Sequence, residues 1–386
     1  MTRDRVQFTF LTVEQVTKSQ QNRSIWSEIA WAAAAGLTLT AAFPIAIPGF
    51  EVGWLEWLPR ELFAYAGAGF FYTLHRTSRR RAVRAGWAAF VHFATLLFWL
   101  NVAMIDFAGM PWFLALPVHA LLAGYCAVYL TFLPTFTVGL SKHTRLPPWL
   151  CFASAVVALE WSRGHLLTGF PWGLWGYSQA RNLPLANLAA WGGVYLVSAV
   201  VAAGAGWLVH AWTTRNRRQL LAALTFVAVA HAVGATRWSA DSDPGDGLRV
   251  ALLQGNIDQH LKNDGADSAA DVSRIYRELL DRVSRSVDLV VWPESSWPYP
   301  IGTRTSRFEV EGAVPMVVGV VEVGYTDDGP VAHNSSVYVD ASGQIVDRQR
   351  KLHLVPFGEY VPFREILPVD KVVPGMIDMS PGKMPS

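Results

Sequence analysis

The feature that most constrains this chain is a series of long apolar runs in its first 238 residues. About seven of them are long enough to cross the roughly 30 Å hydrocarbon layer of a bilayer. Buried helices of a soluble protein explain one or two such runs, but not this many. The sequence therefore predicts an α-helical polytopic membrane domain over 25–238, with spans at roughly 25–45, 54–74, 86–105, 112–138, 148–166, 184–212 and 219–238.

Composition agrees with this prediction. The chain of 386 residues is 52% hydrophobic and only 16% charged, against about 25% charged residues in soluble domains. A net charge of +2 is too small to suggest a nucleic-acid partner. Residues 1–24 are polar and mixed in charge, which is unlike a cleaved signal peptide, so we expect them to form a cytoplasmic N-terminal segment.

The distribution of basic residues predicts the orientation. Every second loop is basic, and these loops together hold Arg76, Arg79, Arg80, Arg81, Arg84, Lys142, Arg145, Arg215, Arg217 and Arg218. The opposite loops contain one basic residue, Arg181. Because basic loops stay in the cytoplasm, we expect the N-terminus inside and, after an odd number of spans, everything beyond about Arg237 outside.

One predicted outer loop has an unusual composition. Residues 168–179 (TGFPWGLWGYSQ) combine aromatic side chains, glycines and a proline where a plain connection needs none. Since Trp and Tyr favour the membrane interface, two interpretations stay open. The segment is either an interfacial re-entrant turn or a lipid-facing rim of an active site.

A polar segment at 239–247 (SADSDPGDG) predicts a linker, and the pattern changes to α/β after it, over 248–386. Residues 248–254 and 288–292 are typical of buried strands, and 267–287 have helical apolar spacing between them. A third strand is predicted at 314–322. Residues 334–340 and 344–351 then predict a hairpin across Ala341–Gly343. Strand, helix and strand in this order predict an α/β layered domain.

Two segments of this domain contain candidate catalytic residues. Glu294, in Trp292-Pro-Glu-Ser295, follows a buried strand, where α/β folds place reactive groups. We expect partial desolvation to raise its pKa toward the range of a general base. Lys351 ends a strand before apolar residues and is a candidate oxyanion stabiliser, and Glu359 follows it in a turn. Taken singly, a structural cap or a solvated surface charge explains these residues as well.

The remaining nucleophiles and histidines give weaker signals. Cys126 and Cys151 lie in apolar runs and form neither a disulfide framework nor a metal-binding spacing, so we expect packing roles for both. His333 and His353 are not near a Gly-x-Ser-x-Gly elbow, which the sequence lacks, and we expect them to be structural. The segment Gln254-Gly-Asn-Ile257 is a strand end that is weak by itself.

Taken together and in this order, several motifs resemble the apolipoprotein N-acyltransferases of bacterial cytoplasmic membranes. The motifs are Phe170-Pro-Trp172 with Gly176-Tyr-Ser-Gln179, Gly193-Val-Tyr195, Leu253-Gln-Gly-Asn-Ile257, Trp292-Pro-Glu-Ser295, Asn334-Ser335 and His353-Leu-Val-Pro-Phe-Gly-Glu-Tyr-Val-Pro362. The resemblance implies that 248–386 is the N-terminal part of a periplasmic nitrilase-like (carbon–nitrogen hydrolase) domain, an α/β/β/α sandwich.

The resemblance also implies a function. The family transfers an acyl chain from a membrane phospholipid to the N-terminal diacylglyceryl cysteine of apolipoproteins, through a thioester on a Glu-Lys-Cys triad. By motif match, Glu294 is the general base, Lys351 stabilises the oxyanion, and Glu359 is an accessory carboxylate. No cofactor and no metal are expected. The location implied is the inner membrane, with the C-terminal domain in the periplasm.

Two departures from the family pattern affect this interpretation. A tryptophan usually follows the lysine near Gln254, whereas Lys262 is followed here by Asn263. The family's nucleophilic cysteine is not matched either, since Cys126 and Cys151 both precede the domain. We therefore expect the sequence to be a C-terminal truncation or one half of a split gene.

Two other functions stay open. The chain is alternatively a non-catalytic membrane protein that binds lipid or lipoprotein on the same scaffold, or an amide hydrolase of nitrilase type. The apolar spans argue against the hydrolase, because a small soluble substrate needs no membrane. Joint retention of Glu294, Lys351 and Glu359 favours the acyltransferase over the binding protein.

Overall fold

The structure is a computed structural model that describes residues 25–44, 59–76, 80–107, 109–237, 247–258, 266–283, 286–312, 314–327, 329–356, 358–361 and 378–383. The predicted N-terminal segment, most of the predicted linker, and Lys262 with Asn263 lie outside these ranges. The chain divides into a helical unit, which ends at Ser242, and an α/β unit, which begins at Asp243 and also includes Ala103–Pro111.

Helices form the first unit. The longer ones among the described residues are α1 (Ile25–Thr40), α2 (Arg60–Arg76), α3 (Arg81–Leu96), α4 (Trp112–Thr131), α5 (Leu133–His143), α6 (Pro148–His165), α7 (Ala189–Thr213) and α8 (Arg217–Thr236). Every predicted apolar run overlaps one or two of them.

Several of these helices are suited to a membrane. Within the described residues, Trp112–His143, Ala189–Thr213 and Arg217–Thr236 are long and apolar enough to span one, and the bent pair Arg81–Leu96 and Leu100–Asp106 makes a fourth if it counts as one span. The helical, apolar character of this region is therefore confirmed. The number of about seven spans stays a prediction.

Two predicted runs are not single straight helices. The run at 86–105 bends by 55° between α3 and the following helical segment. The run at 112–138 divides after Thr131 and continues to His143. Pro134 stands in the first turn of α5, where the missing N–H of a proline costs no helical hydrogen bond, so this residue favours a new helix start.

Small residues allow the helices of this unit to pack closely. A Cβ added at Gly36 of α1 would lie 2.2 Å from the carbonyl oxygen of Ala88 in α3. Ala32, Ala35, Ala88 and Ala89 are all fully buried beside this contact. Close approach through Gly and Ala is the usual way to pack membrane helices, because lipid gives no hydrophobic drive for their association.

The second unit is built on a mixed sheet. Its strands are β1 (Val250–Leu252), β2 (Leu289–Val291), β3 (Ile301–Gly302), β4 (Met316–Thr326), β5 (Gly329–Val339) and β6 (Ile345–Arg350), and helix α9 (Ala266–Asp281) connects β1 to β2. The strand order is β1-β2-β4-β5-β6, with β3 paired to β4. The β1-β2-β4 ladder is parallel, whereas β4, β5 and β6 pair antiparallel.

Most predicted elements of this unit are confirmed, including helix α9, the strand β2 and the β5–β6 hairpin. The prediction that the first strand is buried is wrong. Val250 is 41% exposed and Leu252 is 75% exposed. The reason is topological, because β1 lies at the edge of the sheet and pairs only with β2 among the described strands. Its apolar composition is typical of a central strand, and composition does not report strand order.

The core of the α/β unit lies between α9 and one face of the sheet. Val272 and Tyr276 of α9 pack with alternate residues of β4 and β5, which point to the same side of the sheet. The buried residues from these strands are Met316, Val318, Val320, Val337 and Val339. The intervening residues, among them Gly319 and Asn334, belong to the opposite face.

Candidate active site

Glu294 lies in a turn that directly follows β2. Trp292 precedes the turn, is 3% exposed, and stacks on Tyr276 at 5.1 Å between ring centroids. Its backbone N–H donates to the Val317 carbonyl at 2.8 Å. After the turn, the N–H groups of Ser296 and Trp297 donate to the Gly319 carbonyl at 3.0 and 3.2 Å. The backbone of Glu294 is therefore anchored on both sides to β4.

Gly319 lets this turn lie against the sheet. A Cβ at this position would be 2.1 Å from the Pro293 carbonyl oxygen and 2.8 Å from the Cα of Glu294. Both distances are shorter than nonbonded atoms tolerate, so any side chain here displaces the turn. Ser295 in the same turn has a φ of 47°, in the left-handed region that non-glycine residues seldom adopt.

Lys351 follows β6 and is fixed through its backbone. Its N–H donates to the Asn334 carbonyl at 2.8 Å, and its carbonyl accepts from the N–H of Gly382 at 2.8 Å. Glu359 is fixed in a similar way. Its N–H donates to the Val355 carbonyl at 2.9 Å, and its carboxylate accepts from the Val355 N–H at 2.7 Å.

The three predicted site residues converge. The Nζ of Lys351 lies 2.9 Å from Oε1 of Glu294 and 3.1 Å from Oε1 of Glu359. Asn334 joins the same group, since its Nδ2 lies 2.5 Å from Glu294 Oε1 and 2.8 Å from Glu359 Oε1. One ammonium and one amide thus bridge two carboxylates. We call Glu294, Lys351, Glu359 and Asn334 the front cluster.

Electrostatics in the front cluster favour the charged forms. Partial burial lowers the pKa of Lys351, but hydrogen bonds to Glu294 and Glu359 outweigh burial and leave that pKa above its usual value. Burial raises the pKa of Glu359, but hydrogen bonds from Asn334, Val355 and Lys351 outweigh it and hold that pKa below its usual value. At neutral pH the cluster therefore holds a cation beside carboxylate.

The prediction that Glu294 is partly desolvated is wrong. The sequence predicts a partly desolvated carboxylate, but its side chain is 63% exposed, while those of Lys351 and Glu359 are 30% and 12% exposed. A strand-end position fixed the backbone of Glu294 without burying its carboxylate.

A second charged cluster lies on β4, β5 and β6, on the face of the sheet opposite to that of Asn334. Glu322 of β4 is 0% exposed, and its carboxylate accepts from Arg348 at 2.5 Å, Arg350 at 3.1 Å and Ser335 at 2.7 Å. We call these four residues the rear cluster. Burial raises the pKa of Glu322, but the Ser335 and arginine hydrogen bonds outweigh it, so the pKa is lowered. This cluster is structural, because Arg348 also donates to the carbonyls of Thr303 and Thr305 at 2.7 Å.

The other candidates lie apart from the front cluster's contacts. His333 is 7% exposed and bonds through Nδ1 to the Ser380 carbonyl at 2.8 Å, which is a packing contact. His353 and Gln254 are exposed. Cys126 of α4 and Cys151 of α6 are 0% exposed in the helical unit, so their predicted burial is confirmed.

The aromatic loop of the helical unit is held by two buried ionisable side chains that the sequence motifs do not include. Arg163 of α6 donates to the carbonyls of Phe170 and Trp172 at 2.6 and 2.7 Å. Glu160, one turn earlier, accepts from the Trp175 N–H at 2.6 Å. Both side chains are 2% exposed. Ionisable residues inside an apolar run are the signal that could have identified them.

This arrangement fixes the loop while leaving apolar side chains outside. Leu167 and Thr168 have φ values of 52° and 71°, a strained backbone that the buried polar contacts hold in place. Trp172 is 52% exposed and Leu167 is 79% exposed. The loop is therefore an ordered apolar surface of the helical unit.

Comparison with known proteins now adds to these observations. Residues 35–207 match the model of the apolipoprotein N-acyltransferase N-terminal domain. Residues 249–375 match the carbon–nitrogen hydrolase model. The first match lies on the helical unit, and the second lies on the α/β unit, with its mixed sheet and the front cluster.

Curated relatives cover both units. An apolipoprotein N-acyltransferase of Geobacter metallireducens is 30% identical over 368 residues, which are 90% of this chain and 67% of the relative. Similar proteins of the same name from Vibrio vulnificus and Pseudomonas putida are 31% and 34% identical over 76% of this chain, and they are covered over 60% and 59% of their length. The chain thus spans about three fifths to two thirds of these relatives.

Proposed function

This chain belongs to the apolipoprotein N-acyltransferase family, and we propose that it takes part in moving an acyl chain from a membrane phospholipid to the N-terminal diacylglyceryl cysteine of apolipoproteins. The observation that carries the proposal is the convergence of Lys351 and Asn334, as donors, on the carboxylates of Glu294 and Glu359. A scaffold that only binds lipid has no need for an ammonium held between two carboxylates.

Glu294 is the proposed general base. Its Oε1 already accepts two hydrogen bonds, and its open side gives a substrate or thiol access to the other oxygen. In the first half-reaction the carboxylate takes the proton of a cysteine thiol while the sulfur attacks the ester carbonyl of the phospholipid. The C–O bond then breaks, and the lysophospholipid leaves with the proton that Glu294 returns.

Lys351 is the proposed oxyanion stabiliser. Its raised pKa keeps it cationic at neutral pH, so it can receive the negative charge that develops on the carbonyl oxygen. In the second half-reaction the α-amine of the acceptor attacks the thioester, its proton passes to Glu294, and the thiolate leaves and regains a proton. Glu359 and Asn334 position both groups throughout.

The thiol in this scheme is neither of the cysteines in the helical unit. Cys126 and Cys151 are fully buried among helices, and an apolar setting disfavours the thiolate. We infer that both are packing residues and that neither is the nucleophile of this scheme.

The helical unit is proposed to anchor the protein in the bacterial inner membrane. In this arrangement about seven spans place the basic loops in the cytoplasm and the α/β unit in the periplasm. The exposed Trp172 and Leu167 of the ordered loop favour contact with acyl chains rather than with water. This favours the lipid-facing interpretation of residues 168–179 over a simple turn.

Acyl transfer from labelled phospholipid to a diacylated lipopeptide tests the proposal, using membranes that contain the complete product of the gene. We expect Glu294→Gln to reduce transfer by about 100- to 10,000-fold and Lys351→Met by about 100- to 1,000-fold. Glu278→Gln, at an exposed carboxylate of α9 paired with Arg274, is the matched control and leaves transfer unchanged.

A non-catalytic binding protein would give different results in this assay. If both variants keep full transfer, the front cluster is not the active site. If no variant and no wild-type membrane gives transfer while labelled phospholipid still binds, the binding interpretation replaces the catalytic one.

A further inference from the structure

A short segment of the α/β unit, residues 378–382, holds the backbone of two front-cluster residues. We call this segment the strap. The N–H of Met379 donates to the Glu359 carbonyl at 2.9 Å, and the N–H of Gly382 donates to the Lys351 carbonyl at 2.8 Å. The catalytic roles proposed above belong to side chains of the front cluster, and the strap contacts the same residues through their backbone.

The strap also joins the sheet beside β5. The Ser380 N–H donates to the Ala332 carbonyl at 2.7 Å, and Met379 forms a parallel bridge with Ala332. Strand β6 pairs with a later part of β5, so the strap lies along the part that precedes this pairing. It therefore ties two front-cluster residues to the strand that carries a third, Asn334.

His333 of β5 attaches to the strap through its side chain. Its Nδ1 lies 2.8 Å from the Ser380 carbonyl oxygen, and the residue is 7% exposed. Because a carbonyl oxygen only accepts hydrogen bonds, Nδ1 carries the proton in this contact. Removal of the imidazole leaves a partly buried carbonyl without this donor, which is unfavourable.

His333 lies on the opposite face of the sheet from the front cluster. Alternation along β5 places it on the face of Ser335, whereas Asn334 points to the front face. Its cross-strand neighbour on β4 is Glu322 of the rear cluster. An influence of His333 on Lys351 or Glu359 therefore passes through the strap rather than through contact with a substrate.

We propose that His333 is a positioning residue of the front cluster, because it holds the strap that fixes the backbones of Lys351 and Glu359. The placement of the Lys351 ammonium between its two carboxylates then depends on an imidazole on the other face of the sheet. The consequence for acyl transfer rests on the proposed function, whereas the positioning of Lys351 does not.

Three variants and one control test this role. His333→Asn keeps a donor, because the amide nitrogen of Asn is bonded to Cγ as the histidine Nδ1 is, whereas His333→Leu removes it. Gly382→Ala acts on the strap itself, since an added Cβ would lie 2.6 Å from the Arg350 carbonyl oxygen. Thr326→Val is the matched control, because it removes a side-chain bond to the Gly329 carbonyl elsewhere on the β4–β5 hairpin.

The first measurement is the acetylation of Lys351 in the intact protein, compared by mass spectrometry with that of the exposed Lys142. Although burial opposes it, hydrogen bonds to Glu294 and Glu359 raise the pKa of Lys351 and so slow its reaction, which needs the neutral amine. We expect relative labelling of Lys351 to rise by about threefold or more in His333→Leu and in Gly382→Ala. His333→Asn and the control should keep the wild-type ratio.

The second measurement is acyl transfer in the assay described above. We expect kcat to fall by about tenfold or more in His333→Leu and in Gly382→Ala, with KM for both substrates unchanged. The reason is that a misplaced catalytic group slows the reaction without removing substrate contacts. His333→Asn should transfer at close to the wild-type rate.

The two measurements separate the positioning role from the proposed function. Unchanged labelling of Lys351 in His333→Leu, or equally raised labelling in His333→Leu and His333→Asn, would overturn the role of the imidazole donor. Raised labelling with normal transfer would support the positioning role and contradict the proposed function. If His333→Leu does not fold, Gly382→Ala decides, and a wild-type labelling ratio in that variant would overturn the proposal.

Discussion

The front and rear clusters of the α/β unit use similar chemistry on opposite faces of one hairpin. Asn334 and Lys351 serve the front cluster, whereas their chain neighbours Ser335 and Arg350 serve the rear cluster. The rear carboxylate of Glu322 is 0% exposed, but the front carboxylate of Glu294 is 63% exposed. Burial, rather than residue type, thus separates a structural ion group from one that can react.

The difference also concerns what the cations contact. Arg348 of the rear cluster also donates hydrogen bonds to the backbone carbonyls of residues 303 and 305, and these bonds link β6 to the segment after β3. Lys351 of the front cluster contacts two carboxylates, and its side chain is 30% exposed. A cation whose hydrogen bonds all hold the backbone together is not available to a substrate. Lys351 bonds only side chains through its ammonium and is partly exposed, so it can also contact a substrate.

The largest expected effect breaks the rear cluster. Glu322→Ala leaves Arg348 and Arg350 without their shared carboxylate, and removal of one partner of a buried ion pair costs about 3–5 kcal/mol. Because both arginines keep some contact with water, we expect the lower end, about 3 kcal/mol. Hydrogen exchange of β4–β6 peptides in the intact protein measures the opening free energy.

Glu311→Ala is the control for this change. Glu311 pairs with Arg307 at the surface, with both side chains more than half exposed, so its loss should cost at most about 1 kcal/mol. Equal costs for the two variants would mean that the rear cluster contributes no more than a surface pair.

The next effect disturbs the front cluster through its backbone. Gly319→Ala places a methyl group against the Pro293 carbonyl, and such overpacking costs about 1–3 kcal/mol. We expect faster hydrogen exchange in the 289–297 peptide together with reduced acyl transfer, because Glu294 shifts relative to Lys351. In the control Gly302→Ala, the added atom meets only the Thr305 hydroxyl, at 3.1 Å. A normal transfer rate in Gly319→Ala would show that the position of the turn is not critical.

The smallest effect is a pH dependence. The pKa of Glu359 is lowered in the folded protein, so its contribution to stability is present above the unfolded pKa of about 4.3 and is lost as pH falls through the folded pKa. Glu322 behaves in the same direction. We expect protection of β5 and β6 to decrease below about pH 4, with a shallower decrease in Glu359→Gln. An unchanged slope in this variant would contradict the assigned contacts of Glu359.

Local sequence pattern predicted the elements of the fold but not all of their environments. The β5–β6 hairpin follows from two strand patterns around Gly343, whose φ of 83° suits glycine. The exposure of β1 could not be predicted, because edge position depends on the order of strands that are distant in sequence. Likewise, apolar content alone does not indicate the 55° bend after α3.

The candidate site was predicted in part for a similar reason. Glu294, Lys351 and Glu359 stand in recognisable motifs, and the structure brings them together. Asn334 bridges the carboxylates, but its role emerges only when β5 is placed beside the turn after β2. Glu322 is one more residue in a strand pattern, and alternation alone does not indicate that two arginines from β6 will cover it.

The way in which α6 holds the aromatic loop has a consequence for variation. Arg163 and Glu160 contact carbonyl and N–H groups of the loop backbone, which every amino acid except proline provides. The path of the chain is thus specified independently of which side chains point outward at Leu167 and Trp172. Mutation can therefore replace those two side chains and change the apolar surface that contacts acyl chains. The backbone of the loop keeps its path, because the contacts that hold it do not involve those side chains.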